Sequence, residues 1–420
     1  MLTIESLCQF YLFENKTALL KKSNRYICAM EYKYNFDEVI DRRGTNAYKT
    51  DAMKMKIGRE GLIPLWVADM DFKAPPPIIE AFRKRIDHGI FGYTIPSKNY
   101  YDAIINWLSS QHGWSVSREE LSYIPGIVKG IGLAIDHFTN EGDKIIIQPP
   151  VYHPFRLVPQ AQNRTVVENP LLFDGENYTM DLGGLKKIVS EQQCKILILC
   201  NPHNPVGIAW SREVLQEVAE ICAAHNVLVI SDEIHAEILH NGYKHTPFAT
   251  VSEKAAQHSI TFMAPSKTFN LAGIVCSYAV IKNHDLRKSY YNYLKRAELD
   301  QGTLFSYLAT EVAYTLCDDW RKEMTAYVCG NIQFVAGYLE KNIPQIKALI
   351  PQASFLVWLD CSGLQLDHKA LVSLFRDQAG LALNDGATFG TQGAGFMRLN
   401  VGCPRSTLEK ALRQLKEAVG

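Results

Sequence analysis

Four short runs of this 420-residue chain hold residue types that could do chemistry together. In Ala264-Pro-Ser-Lys-Thr-Phe-Asn270, Lys267 sits among residues that make fixed turns and hydrogen bonds rather than a solvated face. A lysine held in partly apolar surroundings loses proton affinity, which suits Schiff-base chemistry. The Ser266 hydroxyl beside it could serve an anion. In Val227-Leu-Val-Ile-Ser-Asp-Glu-Ile-His235, Asp232 follows a wholly apolar run and is expected at the carboxyl end of a strand. Open α/β sheets bind their ligands at that edge, and a carboxylate at such depth needs a cation or donors. A helix-capping aspartate is the plain alternative. In Cys200-Asn-Pro-His-Asn-Pro-Val-Gly207, two Asn-Pro steps and a glycine stop a strand in a rigid turn, with Asn204 as a candidate amide. In Tyr123-Ile-Pro-Gly-Ile-Val-Lys-Gly-Ile-Gly132, a strand-to-helix turn would offer free N–H groups as a phosphate cup. That turn lacks both Gly-Lys-Ser/Thr and G-x-G-x-x-G, which speaks against a nucleotide P-loop and a Rossmann site.

The elements that must position these groups are legible as alternating patterns. Lys144–Ile147, Lys195–Cys200, Val227–Ser231 and Val275–Ile281 are too short and too apolar for helices and predict buried strands. Between the second and third, Ser211 is a plausible N-cap, Glu213 falls in the first turn, and Val214, Val218, Ile221 and Cys222 recur at helical spacing. Strand, helix and strand in that order make a right-handed βαβ crossover with neighbouring parallel strands. An α/β domain with a mostly parallel sheet follows. Beyond residue 300, amphipathic stretches over 303–317 and 320–342 precede a strand-like Ser354–Asp360, which predicts a smaller α+β domain. The expected division is an N-terminal appendage over 1–29, a segment 30–75 contributing to the small domain, a large domain over 76–300 and the small domain over 301–420.

Composition narrows the function classes. Lys plus Arg and Asp plus Glu both number 44, for a net charge of +0, which argues against a nucleic-acid binder or a polybasic membrane-surface protein. No run approaches the ~20 apolar residues of a membrane span. The opening Met1-Leu-Thr-Ile-Glu-Ser-Leu carries Glu5 and no early Lys or Arg, unlike a secretory signal. Ten scattered cysteines form no C-x-x-C pair, so zinc-ribbon and thioredoxin-like readings lack support, and buried reduced thiols in a cytoplasmic protein are expected.

Taken in order, the four runs supply a phosphate cup, an amide, a carboxylate and a lysine. In that series the chain resembles the fold-type I pyridoxal-phosphate enzymes, the aspartate aminotransferase superfamily, from Met30 to the C-terminus. Pro64-Leu-Trp-Val-Ala-Asp-Met-Asp-Phe72, Gly89-Ile-Phe-Gly-Tyr93, Pro149-Pro-Val-Tyr-His-Pro-Phe155 and Gly395-Phe-Met-Arg-Leu-Asn-Val-Gly-Cys-Pro-Arg405 look like its cystathionine β-lyase (C–S lyase) branch. The resemblance implies a seven-stranded sheet sandwiched by helices, and pyridoxal 5'-phosphate as cofactor. It implies that Lys267 bonds the cofactor aldehyde carbon and then acts as acid and base. Asp232 would pair with the pyridine nitrogen, which keeps the ring an effective electron sink. Asn204 would donate to the ring 3-oxygen with His235 in support, and Tyr152 would stack on the ring face. The phosphate would sit on the N–H groups of Ile127 and Val128 and the Ser266 hydroxyl. Tyr93 would reach it from a second subunit, making a homodimer part of the site. Arg398 would clamp the substrate α-carboxylate with a bidentate fork. Two departures stand out: Ala264 replaces a common serine, and Val275 lies in the region where many transaminases carry an arginine.

All such enzymes first remove the Cα proton, and the outcomes then diverge. Loss of a thiolate from Cβ gives elimination to a thiol, pyruvate and ammonia; return of the proton to the cofactor gives transamination. The lyase flanks imply β-elimination from cystathionine or related cysteine S-conjugates, with Lys267 as the acid for the departing sulfur. An amino-acid aminotransferase is the alternative. A third reading is a regulatory protein that modulates a transcription factor, since one member of the branch is similar in acting on sugar metabolism that way.

Overall fold

The computed structural model describes residues 33–420, and the expectation about residues 1–29 lies outside them. At its centre, seven strands are laid side by side: β1 (Leu121–Ile124), β2 (Lys144–Ile147), β3 (Thr165–Glu168), β4 (Ile196–Cys200), β5 (Leu228–Asp232), β6 (Ser259–Met263) and β7 (Ser277–Val280). Their spatial order is β1-β7-β6-β5-β4-β2-β3. The five strands from β6 to β3 are parallel, and β7 runs antiparallel to both β6 and β1. The sheet is therefore mostly parallel, as the alternation of strand and helix requires.

Successive residues of these apolar strands feed two cores. Leu197, Leu199, Ile146 and Val229 pack on one face, and Ile196, Ile198, Ile145, Ile147 and Ile230 on the other. A strand buried on both faces needs no polar alternation, which is why these runs are continuously hydrophobic. Helix Arg212–Ala224 covers the first face, and the Ser211 hydroxyl accepts its Val214 N–H at 3.4 Å. The expected stripe is off by one residue at its start: Leu215 is buried, whereas Val214 is only half-buried. Predicted strand Val275–Ile281 is also too long. Val275 turns into the left-handed region at φ 56°, and only Ser277–Val280 pair.

A second sheet of four antiparallel strands follows, comprising β8 (Lys347–Leu349), β9 (Leu356–Asp360), β10 (Asn384–Asp385) and β11 (Phe396–Asn400), in the order β8-β9-β11-β10. Helices Leu304–Leu316 and Asp318–Asn342 precede it, close to the predicted stretches. Ile63–Pro64 pair in parallel with Leu381–Ala382, so an early segment joins late chain. Among the described residues no helix is long and apolar enough to cross a membrane.

Candidate active site

Three loops leave the carboxyl ends of neighbouring strands and carry the predicted groups. Asp232 is the last residue of β5, buried, with Oδ1 accepting the Ile234 N–H at 3.1 Å. No other hydrogen bond reaches its carboxylate among the described residues. Burial is the largest influence and pushes its pKa up to about 7, against the pull of the Ile234 N–H and the Lys267 charge. A carboxylate in this state fits a cationic N–H partner.

After β4 the chain turns through the Asn-Pro steps and buries Asn204. Its Oδ1 accepts from Arg398 Nη1 at 2.9 Å, and its carbonyl accepts the Tyr152 N–H at 3.1 Å. With the amide oxygen so engaged, the NH2 group is the part left to donate to something else.

Lys267 follows β6 in a tight turn closed by Phe269 N–H to Pro265 O and Leu271 N–H to Ser266 O. Its Nζ donates to the Ala68 carbonyl at 2.5 Å. Burial lowers its pKa to about 8; Asp69 and Asp232 counteract this, while Arg398 adds to it. Such an amine is partly neutral near pH 7–8 and able to take a proton.

Arg398 on β11 is buried. Besides Asn204, its Nη2 donates to Trp66 O at 2.9 Å and Asn384 Oδ1 at 2.6 Å, and Nε has no partner. The guanidinium lies 4.9 Å from the Phe389 ring centre, and burial lowers its pKa to about 10. Among the described residues none of its bonds is to a carboxylate, so its charge has no ionic partner, and one Nη1 hydrogen and the Nε hydrogen are left to donate. His235 is buried with Nδ1 unpartnered; burial, then the Lys267 and Arg398 charges, push its pKa down to about 3, so it is neutral.

Ile127 and Val128 open helix Ile127–Phe138, after the expected strand-to-helix turn. Gly126 precedes them at φ 110°, a conformation that favours glycine, and the N–H groups of Ile127 and Val128 fall in the first turn, without acceptors in the helix. A Cβ on Gly126 would meet Val275 Cγ1 at 3.7 Å, which places the transaminase-arginine region beside this turn. Ser266 is buried and Ala264 fully so. Tyr152 is half-buried, and its ring faces those of His153 and Phe155 edge-on. Tyr93 is not gathered in: it is fully exposed, and its neighbours Ile90, Phe91 and Ile95 are largely so.

Sequence reasoning missed what anchors the segment Trp66–Phe72 against Lys267. Asn270 bridges to it three times, accepting from Met70 N–H and donating to Met70 O and Phe72 O. Asn400 donates to Val67 O and Asp69 O. Asp69 and Asp71 are held by Arg42, each at 2.7 Å, and by the fully buried Lys49, which is 2.8 Å from Asp71. The quoted motifs contained Asn270 and the two aspartates, but no local pattern marks Lys49.

A seven-stranded sheet with a half-buried lysine and a buried carboxylate and amide at its carboxyl edge, and a buried arginine arriving from a second sheet, defines the pyridoxal-phosphate transferase fold class. Residues 60–415 match the family model for aminotransferase class I and II, and the chain belongs to that family. It is 40% identical over 385 residues to cystathionine beta-lyase PatB of Bacillus subtilis (strain 168), covering 92% of this chain and 100% of that protein. Its fold matches a PLP-bound protein of Clostridium difficile 630 with TM-score 0.90 and 40% identity, over 92% of this chain and 100% of the other. It also matches cystalysin of Treponema denticola, whose crystal structure contains a pyridoxal 5'-phosphate cofactor, with TM-score 0.89 and 34% identity over 93% and 99% of the two chains.

Proposed function

We propose that the chain is a pyridoxal-phosphate-dependent carbon–sulfur β-lyase acting on cystathionine or related cysteine S-conjugates. The observation that carries this reading is a pair of opposite buried charges near Lys267, neither bonded to an ionic partner. Among the described residues Asp232 accepts only a backbone N–H, and Arg398 is held only by neutral oxygens. Buried charges are normally paired, so each waits for a ligand group of opposite charge. A pyridinium N–H suits the first and an α-carboxylate the second. The identity to PatB along its full length supports elimination as the outcome.

In this reading Asp232 holds a proton on the ring nitrogen, the Asn204 amide donates to the ring 3-oxygen, and the neutral His235 packs beside them. Tyr152 covers the ring face. The first-turn N–H groups of Ile127 and Val128, with the Ser266 hydroxyl, hold the phosphate. Bound there, pyridoxal phosphate supplies an electron sink for the pair released at the substrate Cα. Arg398 would fix the α-carboxylate through its fork, Nη2 exchanging one of its neutral oxygen partners for the anion. Lys267, near neutrality at about pH 8, takes the Cα proton on Nζ and returns it to the departing sulfur. The Cα–H and Cβ–S bonds break, a thiol leaves, and the remaining aminoacrylate hydrolyses to pyruvate and ammonia.

A homodimer completes the reading. The exposed apolar run Ile90, Phe91, Tyr93 and Ile95 supports burial against a second copy, with Tyr93 reaching that copy's phosphate. Residues 301–420 with 30–75 form the small domain in this scheme, and 76–300 the cofactor-binding one. A cytoplasmic location accords with the buried free thiols at Cys194, Cys200, Cys222, Cys276, Cys317, Cys361 and Cys403. The test is product analysis: incubation with cystathionine releases homocysteine and pyruvate in equal amounts. Keto-acid-dependent amino transfer without pyruvate would replace the lyase with an aminotransferase.

A further inference from the structure

A chain of buried polar side chains runs behind the candidate site and touches the sequence neighbours of both Asp232 and Lys267. Glu233, next to Asp232, accepts from Ser231 Oγ and Phe248 N–H, both at 2.8 Å, and faces His245 Nε2 at 2.7 Å. The His245 ring meets the His112 ring edge-on at 5.3 Å. His112 Nε2 in turn stands 3.6 Å from Glu237 Oε1. Glu237 is 4% exposed; its Oε1 accepts from Trp107 Nε1 at 3.2 Å, and its Oε2 accepts the hydroxyl of Thr268 at 3.1 Å. Thr268 is fully buried and directly follows Lys267.

From this geometry we propose that Glu237 is a positioning residue for Lys267, acting through the Thr268 hydroxyl. The turn that carries Lys267 has its backbone tied at Phe269 and Leu271, and its far side tied by Asn270. The Thr268–Glu237 bond is a buried side-chain tie on the residue that directly follows Lys267. A carboxylate serves this position better than an amide, because the Trp107 N–H and the Thr268 O–H that bond it are both donors, and His112 Nε2 faces the same Oε1 as Trp107. Glutamine would satisfy one and present its own NH2 to the other, leaving a buried donor unpaired. Burial keeps the ammonium of Lys267 disfavoured; the charged groups that face it are Asp69 from the 66–72 segment, Asp232 from β5 and Arg398 from β11. A turn released from Glu237 admits water to that amine, and its proton affinity returns toward that of an ordinary lysine.

This inference rests on Lys267 being the reactive amine of the proposed lyase, and its test separates the two claims. Full-length chain stripped of cofactor is labelled with acetic anhydride across pH, and acylation of Lys267 is read by mass spectrometry. Wild type should titrate near pH 8, while Glu237→Gln and Thr268→Val should move the midpoint up by about one pH unit. Thr268→Ser keeps the hydroxyl and should restore the wild-type midpoint. In reconstituted enzyme the two shifting variants should lower kcat about tenfold with KM within twofold, and their double variant should be no worse than the worse single. Glu120→Gln is the control: it disturbs another buried carboxylate, bonded to Ser117 N–H and paired with Lys282, and should leave the midpoint alone. If Glu237→Gln does not fold, the Thr268 pair decides. Unchanged midpoints in Thr268→Val, equal shifts in Thr268→Ser and Thr268→Val, or a shift in Glu120→Gln would overturn the proposal. Failure of the lyase reading shows separately, as wild type that gains no visible absorption with pyridoxal phosphate or releases no pyruvate.

Discussion

Arg398 Nη1 donates to Asn204 Oδ1 at 2.9 Å, and this bond joins the second sheet to the turn after β4 of the first. It sets two things at once: which face of the Asn204 amide is left to donate, and where the guanidinium fork stands. Arg398→Lys keeps the charge but loses the planar fork. The expected result is a fall in kcat/KM of about 100-fold, equivalent to about 3 kcal/mol, carried mainly by KM. Steady-state kinetics on an S-substituted cysteine checks it, and an unchanged KM would remove Arg398 from carboxylate binding.

Asp232 makes the cofactor-free protein sensitive to pH. Its folded pKa, about 7, lies above the ordinary 3.8, so the folded chain holds a proton that the unfolded chain releases earlier. The group's contribution is fully favourable below about pH 4 and is lost as pH rises through 7, by up to about 4 kcal/mol. Urea unfolding of cofactor-free wild type should therefore lose stability over that window relative to Asp232→Asn, in which the dependence is absent. Parallel curves for the two proteins would show that the carboxylate titrates normally.

Lys49 is buried between Asp69 and Asp71, and Arg42 bonds the same two carboxylates. Lys49→Met leaves those carboxylates with Arg42 as their ion-pair partner and the Lys267 charge beside Asp69, and should destabilise the fold by about 3 to 5 kcal/mol, as broken buried ion pairs do. Chemical denaturation measures it. A loss under about 1 kcal/mol would mean that the network stabilises little.

Gly126 occupies φ 110° immediately before the first-turn N–H groups of Ile127 and Val128. Gly126→Ala meets no steric block closer than Val275 at 3.7 Å, so its cost is in the backbone conformation. Realignment of those N–H groups should weaken affinity for pyridoxal phosphate at least tenfold while affinity for unphosphorylated pyridoxal changes little. Equal weakening of both would separate this turn from the phosphate.

Much of this site is legible in the sequence because its parts sit where local rules are strong. Asp232 ends a strand that is apolar up to Ser231, so pattern alone puts it at the sheet's carboxyl edge, whereas the Gly126 turn and Lys267 are brought to the same edge only by the family resemblance. The central strands β2, β4 and β5 read nearly correctly because they are buried on both faces, whereas β6, equally buried, is not singled out by its pattern. What escaped depends on long-range packing. Lys49 looks like any surface lysine until Asp71, 22 residues later, closes on it. The carbonyl of Ala68 carries no sequence signal, yet it receives Lys267 Nζ. Val275 reads as strand by its β-branch, but beside Gly126 it adopts a left-handed turn that shortens β7.

The central claim is that Lys267 is the amine that bonds the cofactor. Borohydride reduction of the pyridoxal-phosphate-loaded chain, followed by peptide mass spectrometry, tests it directly. The account predicts one phosphopyridoxyl adduct, on Lys267, and none in Lys267→Ala. An adduct on another lysine in wild type, or no adduct at all, would contradict it.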